Sequence, residues 1–200
     1  MKKTLIAVVA LALTLSACAA DPDAKPSGNS EAAASQTTTA TTDDAPLDRS
    51  EFDTAAVTTD NWLEYGSLRP QAVRTGVHDG YERVVVEYDG AGKLGWKTTG
   101  WAAEARQPGS GFPIELGGKR ALQIVISGVT YPEGVADASG NANIPDLSAD
   151  LTKGTQLTGI EVDQPFEGLH TVTLGANSGL KYRITSMSQP TRLIIDLLTE

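Results

Sequence analysis

Cysteine occurs once in the 200-residue chain, at Cys18, and histidine twice, at His78 and His170. A single thiol excludes a disulfide framework, a zinc–thiolate site and an iron–sulfur cluster, so any globular part must fold by burying apolar surface alone. The two histidines lie far apart and neither has a second ligand at metal spacing. A solvated or hydrogen-bonded histidine is the expectation for both. A Gly-x-Ser-x-Gly elbow and a glycine-rich phosphate loop are missing, and Gly109-Ser110-Gly111 sits in a Pro/Gly-rich stretch with no strand feeding a helix. Asp146 and Asp150 offer a carboxylate pair for glycan cleavage only formally, because two acids in an Asn/Asp-rich loop are ordinarily just solvated. No catalytic residue, metal or cofactor is therefore expected. A basic stripe is missing too: residues 69–200 hold fifteen acids against twelve bases, which argues against nucleic acid as a partner. Most of the net charge of −9 belongs to residues 19–68, with ten acids against two bases.

The apolar run of residues 5–15 is eleven residues long, about half of the ~20 that a membrane-spanning helix requires. Preceded by Lys2 and Lys3 and followed by Ser16 and Ala17, it reads as a signal peptide over residues 1–17. Leu15-Ser16-Ala17-Cys18 resembles the bacterial lipobox, in which the cysteine is acylated and becomes the first residue of the mature protein. The alternative is an ordinary secretory signal cut after Ala17, Ala19 or Ala20. Two or three acyl chains on Cys18, at ~0.8 kcal/mol per buried methylene, would hold the protein on the outer face of the cytoplasmic membrane. Residues 18–66 are rich in Ala, Ser, Thr and Asp. Such a composition cannot offset an ordering cost of about 1–2 kcal/mol per residue, so a disordered tether is expected, contributing nothing to folding. Forty such residues reach roughly 35 Å. Thr37, Thr38, Thr39, Thr41 and Thr42 read as a solvated spacer or as an O-glycosylated stalk.

Residues 67–200 are the size of one domain, and their dominant period is two. In residues 81–88, Val84, Val86 and Tyr88 fall on one face, between turn sequences at His78-Asp79-Gly80 and Asp89-Gly90. The same alternation predicts strands over 95–102, 121–127, 156–163, 168–174, 180–187 and 192–198. The last is so continuously apolar that it reads as central and covered on both faces. Residues 131–154 form the longest irregular connection, with at most a short helix near 145–151. Strands every ten to fifteen residues imply an all-β fold, a sandwich or open barrel.

The run Arg74-Thr75-Gly76-Val77-His78-Asp79-Gly80-Tyr81-Glu82-Arg83-Val84-Val85-Val86-Glu87-Tyr88-Asp89-Gly90, then Pro165-Phe166-Glu167-Gly168, and the closing Pro190-Thr191-Arg192-Leu193-Ile194-Ile195-Asp196-Leu197 resemble the AMIN-like domain of actinobacterial exported proteins and lipoproteins. The resemblance covers nearly all of residues 73–200. It implies a β-sandwich related to the AMIN domain, a module that accompanies cell-wall amidases and secretins and directs them within the envelope through peptidoglycan. The amidases use a zinc site of histidines and glutamate that this chain lacks, so amidase activity would belong to a partner. The implied function is non-catalytic binding of peptidoglycan or a wall-associated partner; a protein-interaction adaptor or lipid carrier is the other reading. Arg83 and Asp196 lie within apolar strands and so either face solvent or pair with each other. The aromatic set open to binding is Trp62, Tyr65, Trp96, Trp101 and Tyr131, with Trp96, Trp101 and Tyr131 the candidate ligand contacts. Trp96 and Trp101 would lie on opposite faces of a regular strand unless a bulge at Gly100 restores them to one side.

Acylation has a direct test. Mass spectrometry of the membrane fraction is expected to find an acylated peptide beginning at Cys18, and a Cys18→Ala variant is expected to leave the membrane.

Overall fold

The computed structural model describes residues 47–131, 145–153 and 155–199. The signal peptide, Cys18 and the threonine patch lie outside the described residues. In chain order the strands are β1 (Val57–Thr58), β2 (Arg69–His78), β3 (Tyr81–Asp89), β4 (Gly95–Ala102), β5 (Ala105–Arg106), β6 (Pro113–Ile114), β7 (Arg120–Ser127), β8 (Leu157–Val162), β9 (Leu169–Ala176), β10 (Tyr182–Ser188) and β11 (Thr191–Leu198). One sheet has the order β1-β4-β7-β9-β8 and the other β10-β11-β3-β2, while β5 and β6 form a small ribbon. All of these strand pairings are antiparallel.

Alternation builds the core. Val84 and Val86 of β3 and Leu193, Ile195 and Leu197 of β11 point inward from one sheet. Leu122, Ile124 and Ile126 of β7 with Val172 and Leu174 of β9 point inward from the other, and all ten are fully buried in one cluster. Two sheets meeting on such a layer form a β-sandwich. The seven strands expected from the sequence all form, with ends within two residues of those expected. The edge strand β2 is an addition, masked in the sequence by Pro70 and by a register shift between Pro70 and Ala72.

One reading needs correction. β11 is central in its sheet, but the second sheet covers only its Leu193, Ile195 and Leu197 face; Ile194 and Leu198 on the other face are half-buried. Residues 145–153 form no helix. The Asp146 carboxylate instead accepts the Ser148 N–H at 2.9 Å, a side-chain turn that competes with helix, and Leu147 is buried in the core.

The packed domain also begins ahead of residue 67. Phe52 is buried, with the Arg183 guanidinium 5.0 Å over its ring. Asp53 exchanges two backbone hydrogen bonds with Tyr182, at 2.8 and 3.1 Å, and β1 pairs with β4. One aromatic anchor and a few main-chain bonds suffice here, and neither leaves a hydrophobic period in an otherwise polar stretch.

On the outer face of the four-stranded sheet, Asp196 is 1% exposed and receives Arg83 through both oxygens, at 2.6 and 3.0 Å. Arg183, from the opposite neighbour strand, donates to the same carboxylate at 2.8 Å. Direct cross-strand register places Arg83 and Arg183 on either side of Asp196. Removing one member of such a buried set strands the others, so Asp196→Ala is expected to cost about 3 kcal/mol, read as a lowered urea midpoint with an unchanged slope.

Candidate functional site

The inner row of β10 runs Tyr182, Ile184, Ser186, Ser188, facing Leu197, Ile195, Leu193 and Thr191 of β11. Its side chains shrink toward the hairpin, and β10 is the edge of its sheet. Opposite stands the corresponding edge of the other sheet, β1 and then β4. The space left between them is an open cleft of about 920 Å³, with Thr59, Asn61, Lys93, Trp96, Ser186 and Ser188 among its walls.

The far wall is held by polar contacts. Thr59 donates its N–H to the Trp96 carbonyl at 3.0 Å, and its hydroxyl accepts the Trp96 N–H at 3.0 Å. The Asn61 amide donates to the Leu94 carbonyl at 2.9 Å. Beside them, Lys97 lies 4.7 Å over the ring of the half-buried Trp62.

Trp96 pairs with Ile126 and Trp101 with Leu122, both inward-facing partners. The register shift between Thr98 and Trp101 therefore puts both indoles on the inner face. Gly100 makes it possible, with φ +84° and a position where a Cβ would sit 2.9 Å from the Thr54 carbonyl. Both rings are half-buried against the core. Trp96 lines the cleft, whereas Trp101 lies at the other end of the strand and donates its indole N–H to the Leu180 carbonyl at 2.7 Å. Tyr131 and Tyr65 are exposed, and neither lines the cleft. Of the three candidate contacts, Trp96 borders this cleft; Ser186, Ser188, Thr59 and Asn61 were not singled out, and the one available signal was two small polar residues at inward positions where strands carry large apolar ones.

The histidines have structural surroundings. His78 is exposed at the end of β2 and stacks on Tyr81, with ring centroids 4.6 Å apart. His170 is 3% exposed between the sheets, its Nε2 2.8 Å from the Tyr88 hydroxyl. Burial pushes its pKa from 6.5 down to about 4, against a smaller opposing pull from the Asp163 main chain. Among the described residues no group of three His, Cys, Asp or Glu side chains is gathered to hold a metal. Asp146 is exposed, and hydrogen bonds from the Ser148 hydroxyl and N–H hold its carboxyl below the usual range. A general acid needs the opposite shift.

His170 gives stability a defined pH dependence. Unfolded, it takes a proton near pH 6.5; folded, only near pH 4. Its contribution is fully present above 6.5 and is lost as pH falls toward 4, by at most about 1.4 kcal/mol per pH unit. Urea midpoints measured across that window are expected to fall for the wild type, with a flatter slope for His170→Gln.

A family model described as the AMIN-like domain matches residues 68–199. No curated protein matches the chain.

Proposed function

The chain belongs to the AMIN-like domain family, and from that premise we propose that it is a lipid-anchored, non-catalytic envelope protein whose domain binds peptidoglycan in the cleft between β4 and β10. The cleft carries the reading. Its volume lies within the ~300–1,000 Å³ typical of ligand sites. Hydroxyls and amides of Thr58, Thr59, Asn61, Ser186, Ser188 and Gln189 line it, which suits a polymer of hydroxyls and amides. Lys93 and Asp60 are its two charged residues, so recognition rests on hydrogen bonding more than on net charge. An open, hydrated site of this kind fits micromolar or weaker affinity, about −8 kcal/mol or less in magnitude. Acylation at Cys18 and the many sites of the wall would supply residence time through effective concentration.

Purified full chain in detergent is expected to co-sediment with sacculi and to release no soluble muropeptides. Ser186→Phe, which fills the cleft from an exposed position, is expected to weaken sedimentation about tenfold, equivalent to ~1.4 kcal/mol. Trp101→Ala, checked for folding by circular dichroism, is expected to bind as wild type. Sedimentation no better than a non-binding control would favour the adaptor reading; release of muropeptides would make the protein an enzyme.

A further inference from the structure

We propose that the cleft recognises the stem peptides of peptidoglycan, adding a short extended peptide to the free edge of β10. The inference rests on the wall-binding reading above and names which part of the polymer is held.

The direction of the β10 main chain follows from its two neighbours. Leu198 donates its N–H to the Lys181 carbonyl on the β11 side, while both main-chain groups of Tyr182 are turned the other way, onto Asp53. Antiparallel strands alternate these directions residue by residue. The N–H and C=O of Ile184 and Ser186 are therefore turned outward like those of Tyr182, and Ser186 lines the cleft; at the turn beyond it the Ser188 carbonyl accepts the Thr191 hydroxyl at 3.5 Å. Asp53 already makes the contact a guest strand would make, two N–H···O bonds at one outward residue. A peptide seated in the cleft continues that pairing along the same edge.

The other sheet edges are closed to such a guest. β2 carries Pro70, a register shift and Arg74, and its Thr75 hydroxyl donates to the Asp150 carbonyl of the segment lying beside it. β8 has a register shift at Leu157/Gly159, and the Leu116 carbonyl sits 2.4 Å from where a Gly159 Cβ would be. β1 has two residues. From Thr185 to Ser188, β10 has no proline, no charge and no register shift. Those are the devices with which proteins guard an edge.

The lining also favours peptide over sugar. Pyranose stacking needs an exposed aromatic face, yet the cleft's aromatic residue is Trp96, half-buried on the inner face and packed against the core. The strongly exposed aromatics, Tyr65, Phe112, Tyr131 and Phe166, lie elsewhere. A stem peptide brings amides, a terminal carboxylate and the amine of its diamino acid, matching the outward main chain, Lys93 and Asp60. At ~3.4 Å per residue, four residues extend roughly 14 Å, enough to run along the edge from Ile184 to Ser188.

The test compares sacculi, glycan strands stripped of peptides by an amidase, and the free stem peptides so released, with full chain in detergent. Free stem peptide is expected to displace the protein from sacculi, and stripped glycan is expected to bind at least tenfold more weakly than intact sacculi. Phe166→Ala, an exposed aromatic outside the cleft, is expected to bind as wild type. Ser186→Pro, which removes the outward N–H, is expected to lose at least tenfold; if it fails to fold, the peptide competition decides alone. Stripped glycan binding as well as sacculi, with no displacement by peptide, would overturn this inference and leave wall binding standing. Absence of binding to sacculi would remove both.

Discussion

Successive side chains of a strand point to opposite faces, so two stacked sheets must supply matching bulk at every inner position or leave a gap. In the middle of this sandwich the supply is complete: Val84, Val86, Leu193 and Ile195 meet Ile124, Ile126, Val172 and Leu174. Along β10 it fails at Ser186 and Ser188, whose partners on β11 are Leu193 and Thr191. The core and the cleft are one consequence of the same rule. A binding site at the sandwich edge needs no special loop, only two small residues in an inner row.

The outer face of the β10-β11-β3-β2 sheet works differently, because water replaces the opposing sheet. There Asp196 gathers Arg83 and Arg183, and two rungs further, beyond Val85 and Ile194, Glu87 gathers Arg74 at 2.6 Å and Arg192 at 3.0 Å. These sets are more informative about register than about net stability. A one-residue slip of β11 would turn Asp196 into the apolar layer and Leu197 out of it, so the buried carboxylate excludes the neighbouring registers. Glu82 marks the exception on the inner face. It is 5% exposed, and its two oxygens accept the N–H groups of Gln156 and Leu157 at 2.7 and 3.0 Å, joining β3 to the start of β8 in the opposite sheet.

How legible all this was depends on how each feature is encoded. Strands such as β3 and β7 announce themselves because large apolar residues alternate along one face, whereas the Arg83–Asp196 pair was one of two open readings, since charges inside apolar runs either face solvent or find partners. Trp96 and Trp101 were readable only conditionally: their spacing left two faces possible, and the bulge at Gly100 chose one. β2 was hidden by the proline and polar residues that make it a safe edge. Residues 47–66 were hidden because Phe52 and main-chain bonds to Tyr182 carry their docking, and main-chain bonds have no residue signature. The cleft residues were hidden for a related reason: Ser186 and Ser188 matter for what they fail to fill and for backbone groups common to every residue.

That docked segment has a mechanical meaning. Any tension on the chain ahead of Leu47 enters the domain through Phe52 and the Asp53 bonds on one sheet, then through β1 on the other, before it reaches a strand whose side chains form the core. So placed, the segment is loaded by such a tug ahead of the central ladders β7–β9 and β3–β11. Because the Asp53 bonds are made to Tyr182 of β10, the same tug is delivered to the strand that borders the cleft.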